Sequence, residues 1–215
     1  MSQTIAHQSI LGVIFAGGQS LRMQSNQPKW QLPLGHQPII EHIINRFEPQ
    51  VGELVINGQH PELASYPYKT VADVTDGFQG PLAGLLTGLT HAKQQGFDWV
   101  ATCPCDSPFI PEDYVSHLAY AISTSHSTGA VIQHQGRLQP VFGLWSVQLY
   151  DSLKQTIETT NHRAFNTWVK LAQADAITLD YPNQLELTPF TNINTQQEWQ
   201  AATKYWLSIQ SNEHT

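Results

Sequence analysis

The residues best suited to chemistry fall into a few short runs. Ala16-Gly17-Gly18 follows an apolar segment, and Arg22 and Lys29 lie in the polar stretch after it. Glycines without a Cβ let backbone amides approach an anion closely, and two cations beside them could hold a triphosphate. A plain turn with two solvated cations accounts for the same residues. Asp106 follows a second apolar segment, in a loop fenced by Pro104, Pro108 and Pro111. A rigidly held carboxylate suits Mg²⁺, which takes one or two protein carboxylates and completes its shell with phosphate oxygens and water; a turn cap is the alternative. Asp73 ends another apolar segment and could meet a metal, a ribose or a base. Asn57 could hydrogen-bond a base or sugar, although with Gly58 it also makes an ordinary asparagine turn. Gly80-Pro81-Leu82-Ala83-Gly84 reads as the start of a helix whose free amides and positive dipole end could face an anion.

The elements that must position these residues follow from periodicity. Residues 9–16 form a buried-strand pattern, and Ile39, Ile40, Ile43, Ile44 and Phe47 recur at helical spacing. Strands are predicted at 54–57, 70–73 and 99–103. A helix opens near Pro81, where no amide hydrogen is required, and another opens at Pro111, carrying Val115, Leu118 and Ile122. The second half is less regular: strands at 129–133, 141–145 and 176–180, helices at 149–159 and 163–171, and antiparallel additions to the sheet. Thr195 and Glu198 make a capping box for a last helix, and the chain frays from Ser208. Alternating strand and helix predicts an α/β fold with a mostly parallel sheet whose ligands sit beyond the carboxyl ends of the strands. Gly17, Asn57, Asp73 and Asp106 all fall at such ends.

Bulk properties narrow the function class. At 215 residues, with 40% hydrophobic and 13% charged residues, the chain is long enough and apolar enough for one packed domain over 1–207. A net charge of −7 argues against a general nucleic-acid binder, so a phosphate ligand must meet a local cationic site. The longest apolar run, 10–16, is far short of the ~20 residues that span a bilayer, and residues 1–10 lack a cationic start followed by an apolar stretch. A cytoplasmic protein without membrane contact is expected. Cys103 and Cys105 are too close in sequence for an ordinary disulfide and too few for a zinc site; they read as packed thiols.

Taken together, these motifs resemble the molybdenum cofactor guanylyltransferase family, also called molybdopterin-guanine dinucleotide biosynthesis protein A. The likeness rests on Phe15-Ala16-Gly17-Gly18, Arg22-Met23, Lys29, Asn57, Asp73, Gly80 to Gly84, Cys103-Pro104-Cys105-Asp106-Ser107-Pro108 and Asn192-Ile193-Asn194-Thr195. It implies a three-layer, Rossmann-like sheet of the nucleotide-diphospho-sugar-transferase type. The implied reaction moves GMP from GTP to the phosphate of molybdenum-molybdopterin and releases pyrophosphate, with Mg²⁺ as cofactor. The resemblance assigns nucleotide contacts to Phe15, Ala16, Gly17, Lys29, Asn57, Asp73 and Asp106. Asp106 acts through Mg²⁺, and Lys29, Asp106 and Arg22 carry the chemistry. Transient contact with proteins that synthesise or deliver the cofactor is implied too. The chain departs from the family's R-M-G-x-D-K: it reads Arg22-Met23-Gln24-Ser25-Asn26-Gln27-Pro28-Lys29, with proline in place of the acid. Pro28 biases Gln27 toward an extended conformation and brings the chain to Lys29 by a different route. Gln196 also replaces the proline usual after N-x-N-T. A cytidylyl-transferring sister enzyme or a sugar-1-phosphate nucleotidyltransferase would use the same glycine loop, lysine and aspartate, and a non-catalytic delivery partner would fit the altered loop. Arg163, Asn192 and Asn194 are candidates for the pterin side, each equally explained by capping or surface charge.

Overall fold

Strand β1 (Ile10–Phe15) is apolar throughout and buried along all but its last residue. Its side chains alternate between two cores: Ile10 and Ile14 point into one, Leu11 and Val13 into the other. A strand buried on both faces needs helices on both sides, and the computed structural model, which describes residues 4–17, 27–74, 80–159, 164–181 and 189–212, has that layering.

After β1 come a short hairpin, β2 (Pro33–Leu34) and β3 (Gln37–Pro38), and helix α1 (Ile39–Phe47). Next are β4 (Glu53–Asn57), β5 (Lys69–Val71), α2 (Pro81–Gln95), β6 (Trp99–Pro104) and α3 (Tyr114–Ser125). Strands β7 (Gly129–His134) and β8 (Arg137–Ser146) form a hairpin, followed by α4 (Tyr150–Thr159), α5 (Phe165–Leu171), β9 (Asp175–Thr178) and α6 (Gln196–Asn212). The main sheet has the order β5-β4-β1-β6-β8-β7-β9. Strand β8 runs antiparallel to both its neighbours and the other pairs are parallel. One core joins residues of α1, α3 and α6 to the sheet, the other residues of α2, α4 and α5. The expected three-layer, mostly parallel α/β architecture with antiparallel additions is therefore present.

Several boundaries differ from the sequence reading for physical reasons. Helix α3 opens at Tyr114, not at Pro111, because Gln50 takes both ends of the intervening turn. Its Nε2 donates to the Pro111 carbonyl at 2.9 Å and its Oε1 accepts from the Val115 amide at 3.0 Å. Strand β8 begins at Arg137, ahead of the predicted 141, behind a turn in which Gln135 and Gly136 both have positive φ, as a two-residue hairpin requires. Pairing with β7 shifts register between Val131 and Ile132, which lets Pro140, lacking an amide hydrogen, sit inside the strand. Helix α6 runs to Asn212, past Ser208, where fraying is predicted. The β2–β3 hairpin has no counterpart in the sequence reading; two-residue strands leave no periodic signal.

Candidate functional site

Register brings the candidate residues to one edge. Phe15, the last residue of β1, lies opposite Asn57 of β4 and Pro104 of β6, and Asn57 lies opposite Val71 of β5. The ladder continues past the strand ends: the Ala16 amide donates to Asn57 O at 2.7 Å, and the Cys105 amide to Phe15 O at 3.2 Å. Gly17, Asn57, Asp73 and Asp106 thus leave the sheet side by side at its carboxyl edge. Gly17 is exposed, with open space where a Cβ would point.

Asn57 and Asp73 form one group. Asn57, 4% exposed, donates from Nδ2 to Val71 O at 3.2 Å and to Asp73 Oδ1 at 2.9 Å, which fixes its amide orientation. Its carbonyl faces α2 so closely that a Cβ on Gly84 would lie 2.7 Å from Asn57 Oδ1 and 2.8 Å from the Phe15 ring. Only glycine lets the helix seat there. Gly80, at the N-terminus of α2, has φ +148° in a region that favours glycine, with open space around it. The helix starts without a side-chain cap: Pro81 brings no amide hydrogen, and the Ala83 amide donates to Gly80 O at 3.0 Å.

Lys29 and Asp106 form the second group. Pro28 has an extended backbone (φ −59°, ψ 147°) and precedes a 3₁₀ turn over Lys29–Gln31, so the proline that replaces the family's acid sets up the turn that presents the lysine. The next residue, Trp30, is 2% exposed and packs edge-on to Tyr66 and His60, anchoring that turn in the core. Lys29 Nζ lies 3.5 Å from Asp106 Oδ2 and donates to Asn194 Oδ1 at 2.5 Å. Asp106 Oδ1 is buried and has no hydrogen-bond partner among the described residues. Burial pushes the Asp106 carboxyl above the usual carboxylate range, and the Lys29 ammonium offsets part of that rise.

The segment before α6 closes over this group, a role that the sequence alone leaves open between capping and substrate contact. The Ile193 amide donates to Asp106 O at 2.8 Å, and Ser107, fully buried, donates to Asn192 Oδ1 at 2.6 Å. Glu198 Oε2 accepts from the amides of Asn194 (2.7 Å) and Thr195 (2.8 Å), and Thr195 Oγ1 accepts from the Glu198 amide. The capping box is therefore present, one residue wider than the sequence pattern states. No local pattern signals the bond that Ser107 makes, because its partner is 85 residues away. Cys103 and Cys105 are free, and burial raises both thiols far above their usual range, so they pack rather than react. Arg22, Gly18 and Arg163 lie outside the described residues.

An ammonium, a half-satisfied buried carboxylate and open backbone at the carboxyl edge of a parallel sheet can together neutralise and orient a phosphate chain. Among the described residues no helix is long and apolar enough to cross a membrane.

Comparison with known proteins places the fold in a family. The MobA-like NTP transferase domain matches residues 12–175. A molybdenum cofactor guanylyltransferase of Cupriavidus necator is 38% identical over 202 residues, covering 90% of this chain and 96% of that protein. One from Mesorhizobium japonicum is 32% identical over 214 residues, covering 95% and 99%. The crystal structure of molybdopterin-guanine dinucleotide biosynthesis protein A from Archaeoglobus fulgidus superposes with a TM-score of 0.69 at 20% identity, covering 91% of this chain and 97% of that one. With its fold and its relatives in agreement, the chain belongs to the MobA-like NTP transferase family and, within it, to the molybdenum cofactor guanylyltransferases, which are nucleotidyltransferases.

Proposed function

We propose that this protein transfers GMP from GTP to the terminal phosphate of molybdenum-molybdopterin, forming molybdopterin guanine dinucleotide and releasing pyrophosphate. The observation that carries this reading is the Lys29–Asp106 pair at the carboxyl edge of the sheet, in a chain whose full-length relatives bear that name.

The acceptor phosphate attacks the α-phosphorus of GTP in line; its P–O bond forms as the bond to pyrophosphate breaks. A phosphate monoester has its second pKa near ~6, so the nucleophile is largely dianionic at neutral pH and no side chain need act as base. The protein's task is positioning and charge neutralisation. The exposed backbone at Gly17 and the ammonium of Lys29 meet the phosphates, with Arg22 as a second cation. Asn57 and Asp73 meet the nucleoside. The buried, unpartnered Oδ1 of Asp106 fits a divalent cation. Mg²⁺ held there supplies charge neutralisation on the phosphate oxygens when bound. A soluble enzyme of the cytoplasm, in passing contact with proteins that make or receive the cofactor, is the setting this chemistry suits.

Isothermal calorimetry with GTP, CTP and ATP, in Mg²⁺ and then in EDTA, tests the site. The expected result is a Mg²⁺-dependent preference for GTP, followed by pyrophosphate release once molybdopterin is added. A preference for CTP would mark a cytidylyltransferase. GTP binding without pyrophosphate release would mark a delivery protein.

A further inference from the structure

Asn194 reaches Lys29 from the far end of the sequence, and its place in the site has a chemical consequence. Lys29 Nζ donates to Asn194 Oδ1 at 2.5 Å but stands 3.5 Å from the nearer oxygen of Asp106. An ammonium beside a buried carboxylate gains most by closing to full ion-pair contact, where charge-assisted bonds run about 2.7–2.9 Å. Here the shorter contact goes to the neutral amide. The neighbouring residues hold that amide in place: Ile193 is tied to the Asp106 carbonyl and Asn192 to Ser107, so the 192–194 segment and the Asp106 loop are fixed to each other.

We propose that Asn194 is a positioning residue that holds the Lys29 ammonium back from full pairing with Asp106, keeping the carboxylate available to a divalent cation. The proposal rests on the reading of Lys29 and Asp106 given above and extends it to the N-terminal strap of α6. A lysine closed fully onto Asp106 Oδ2 would set its positive charge beside a cation at Oδ1 and draw on the same carboxylate charge, weakening the hold on the cation. Asn194 removes that competition without adding charge to a site that must accept a polyanion. Its side chain is separable from helix capping, because the cap uses the Asn194 backbone amide and the Thr195 hydroxyl.

The test measures Mg²⁺ affinity directly, by calorimetric titration of Mg²⁺ into the full-length protein with GTP present, beside a melting curve taken without metal. Asn194→Ala is expected to weaken Mg²⁺ binding about tenfold, the scale of one hydrogen bond to a charged group, with the metal-free melting midpoint unchanged. Asn194→Asp, which keeps an oxygen for Lys29, restores the unsubstituted affinity or improves on it. In a Lys29→Met background, Asn194→Ala is expected to have no further effect, since the lysine it restrains is gone. Unchanged Mg²⁺ affinity in Asn194→Ala overturns the proposal. A loss that persists at full size in the Lys29→Met background also overturns it, because Asn194 would then act on metal or substrate itself. If Asn194→Ala melts early, Asn194→Leu keeps the volume without the oxygen and gives the same readout. Failure of the underlying reading is separately visible: the unsubstituted protein would then bind GTP no better with Mg²⁺ than with EDTA.

Discussion

Asp106 carries the sharpest conflict in the molecule, since the fold buries a carboxylate and leaves one of its oxygens without a hydrogen bond. Its folded-state proton affinity is raised by burial, so the folded form holds the proton more tightly than the unfolded form. Stability therefore falls as pH rises from the ordinary carboxylate range through the raised one. In its ionised form the group strains the metal-free protein, as sites built for function often do. Asp106→Asn is expected to raise the melting midpoint of the metal-free protein while reducing pyrophosphate release to background; differential scanning calorimetry beside a turnover assay reads both. A midpoint that fell would mean that the Lys29 pairing outweighs the desolvation. Gly84 is the second decisive residue. Gly84→Ala would press a methyl group against Asn57 Oδ1 and Phe15, costing about 1–3 kcal/mol of stability. It would also turn the Asn57 amide away from its bonds to Val71 and Asp73. GTP affinity by calorimetry should fall in the folded variant, whereas a purely structural role for Gly84 would leave it unchanged.

Helices α2 and α6 do different work at the same edge. The N-terminus of α2 starts on Pro81 with no side-chain cap, and that of α6 is capped and tied down. Gly84 in the first turn of α2 lets that helix seat against Asn57 and Phe15, and the cap of α6 holds Asn192, Ile193 and Asn194 in place. Thr195→Ala removes one of the capping bonds and should cost ~1 kcal/mol, visible as a shifted urea midpoint. It should weaken Mg²⁺ affinity less than Asn194→Ala, because Glu198 still holds both amides. Much of this was legible in the sequence. Ile39 to Phe47 repeats at helical spacing, Thr195 and Glu198 spell a capping box, and apolar runs stopping at Gly17, Asn57 and Asp106 mark strand ends. What escaped the sequence is long-range or irregular. No local pattern announces that Ser107 meets Asn192, that Gln50 displaces the start of α3, or that Pro140 sits at a register shift in β8.

On the scale of the whole molecule, both helical layers bury a histidine. His42 of α1 is 5% exposed; its Nε2 donates to the Leu34 carbonyl at 2.7 Å and its ring meets Trp206 of α6 edge-on, with 4.4 Å between centroids. His91 of α2, on the other side of the sheet, is 6% exposed and its Nε2 has no partner. Burial lowers the proton affinity of both rings; Arg46 lowers that of His42 further and Lys69 that of His91, while Glu41 and Glu53 act in the opposite sense. The unfolded chain thus binds protons that the folded one refuses. Between the lowered folded values and the ordinary value of 6.5, stability rises with pH; it is fully present above 6.5 and is lost as pH falls through that window. Thermal midpoints should accordingly drop by several degrees between pH 7.5 and pH 5.0, net of the opposite contribution of Asp106, whose raised carboxyl adds stability as pH falls. In His42→Gln the amide can still donate to Leu34 O but carries no titrating proton, so the slope of midpoint against pH should become shallower without vanishing, because His91 remains. The double variant His42→Gln/His91→Gln should flatten it further. A slope unchanged in the double variant would assign the acid sensitivity to groups elsewhere, and α1 and α2 would then be held to the sheet independently of their histidines.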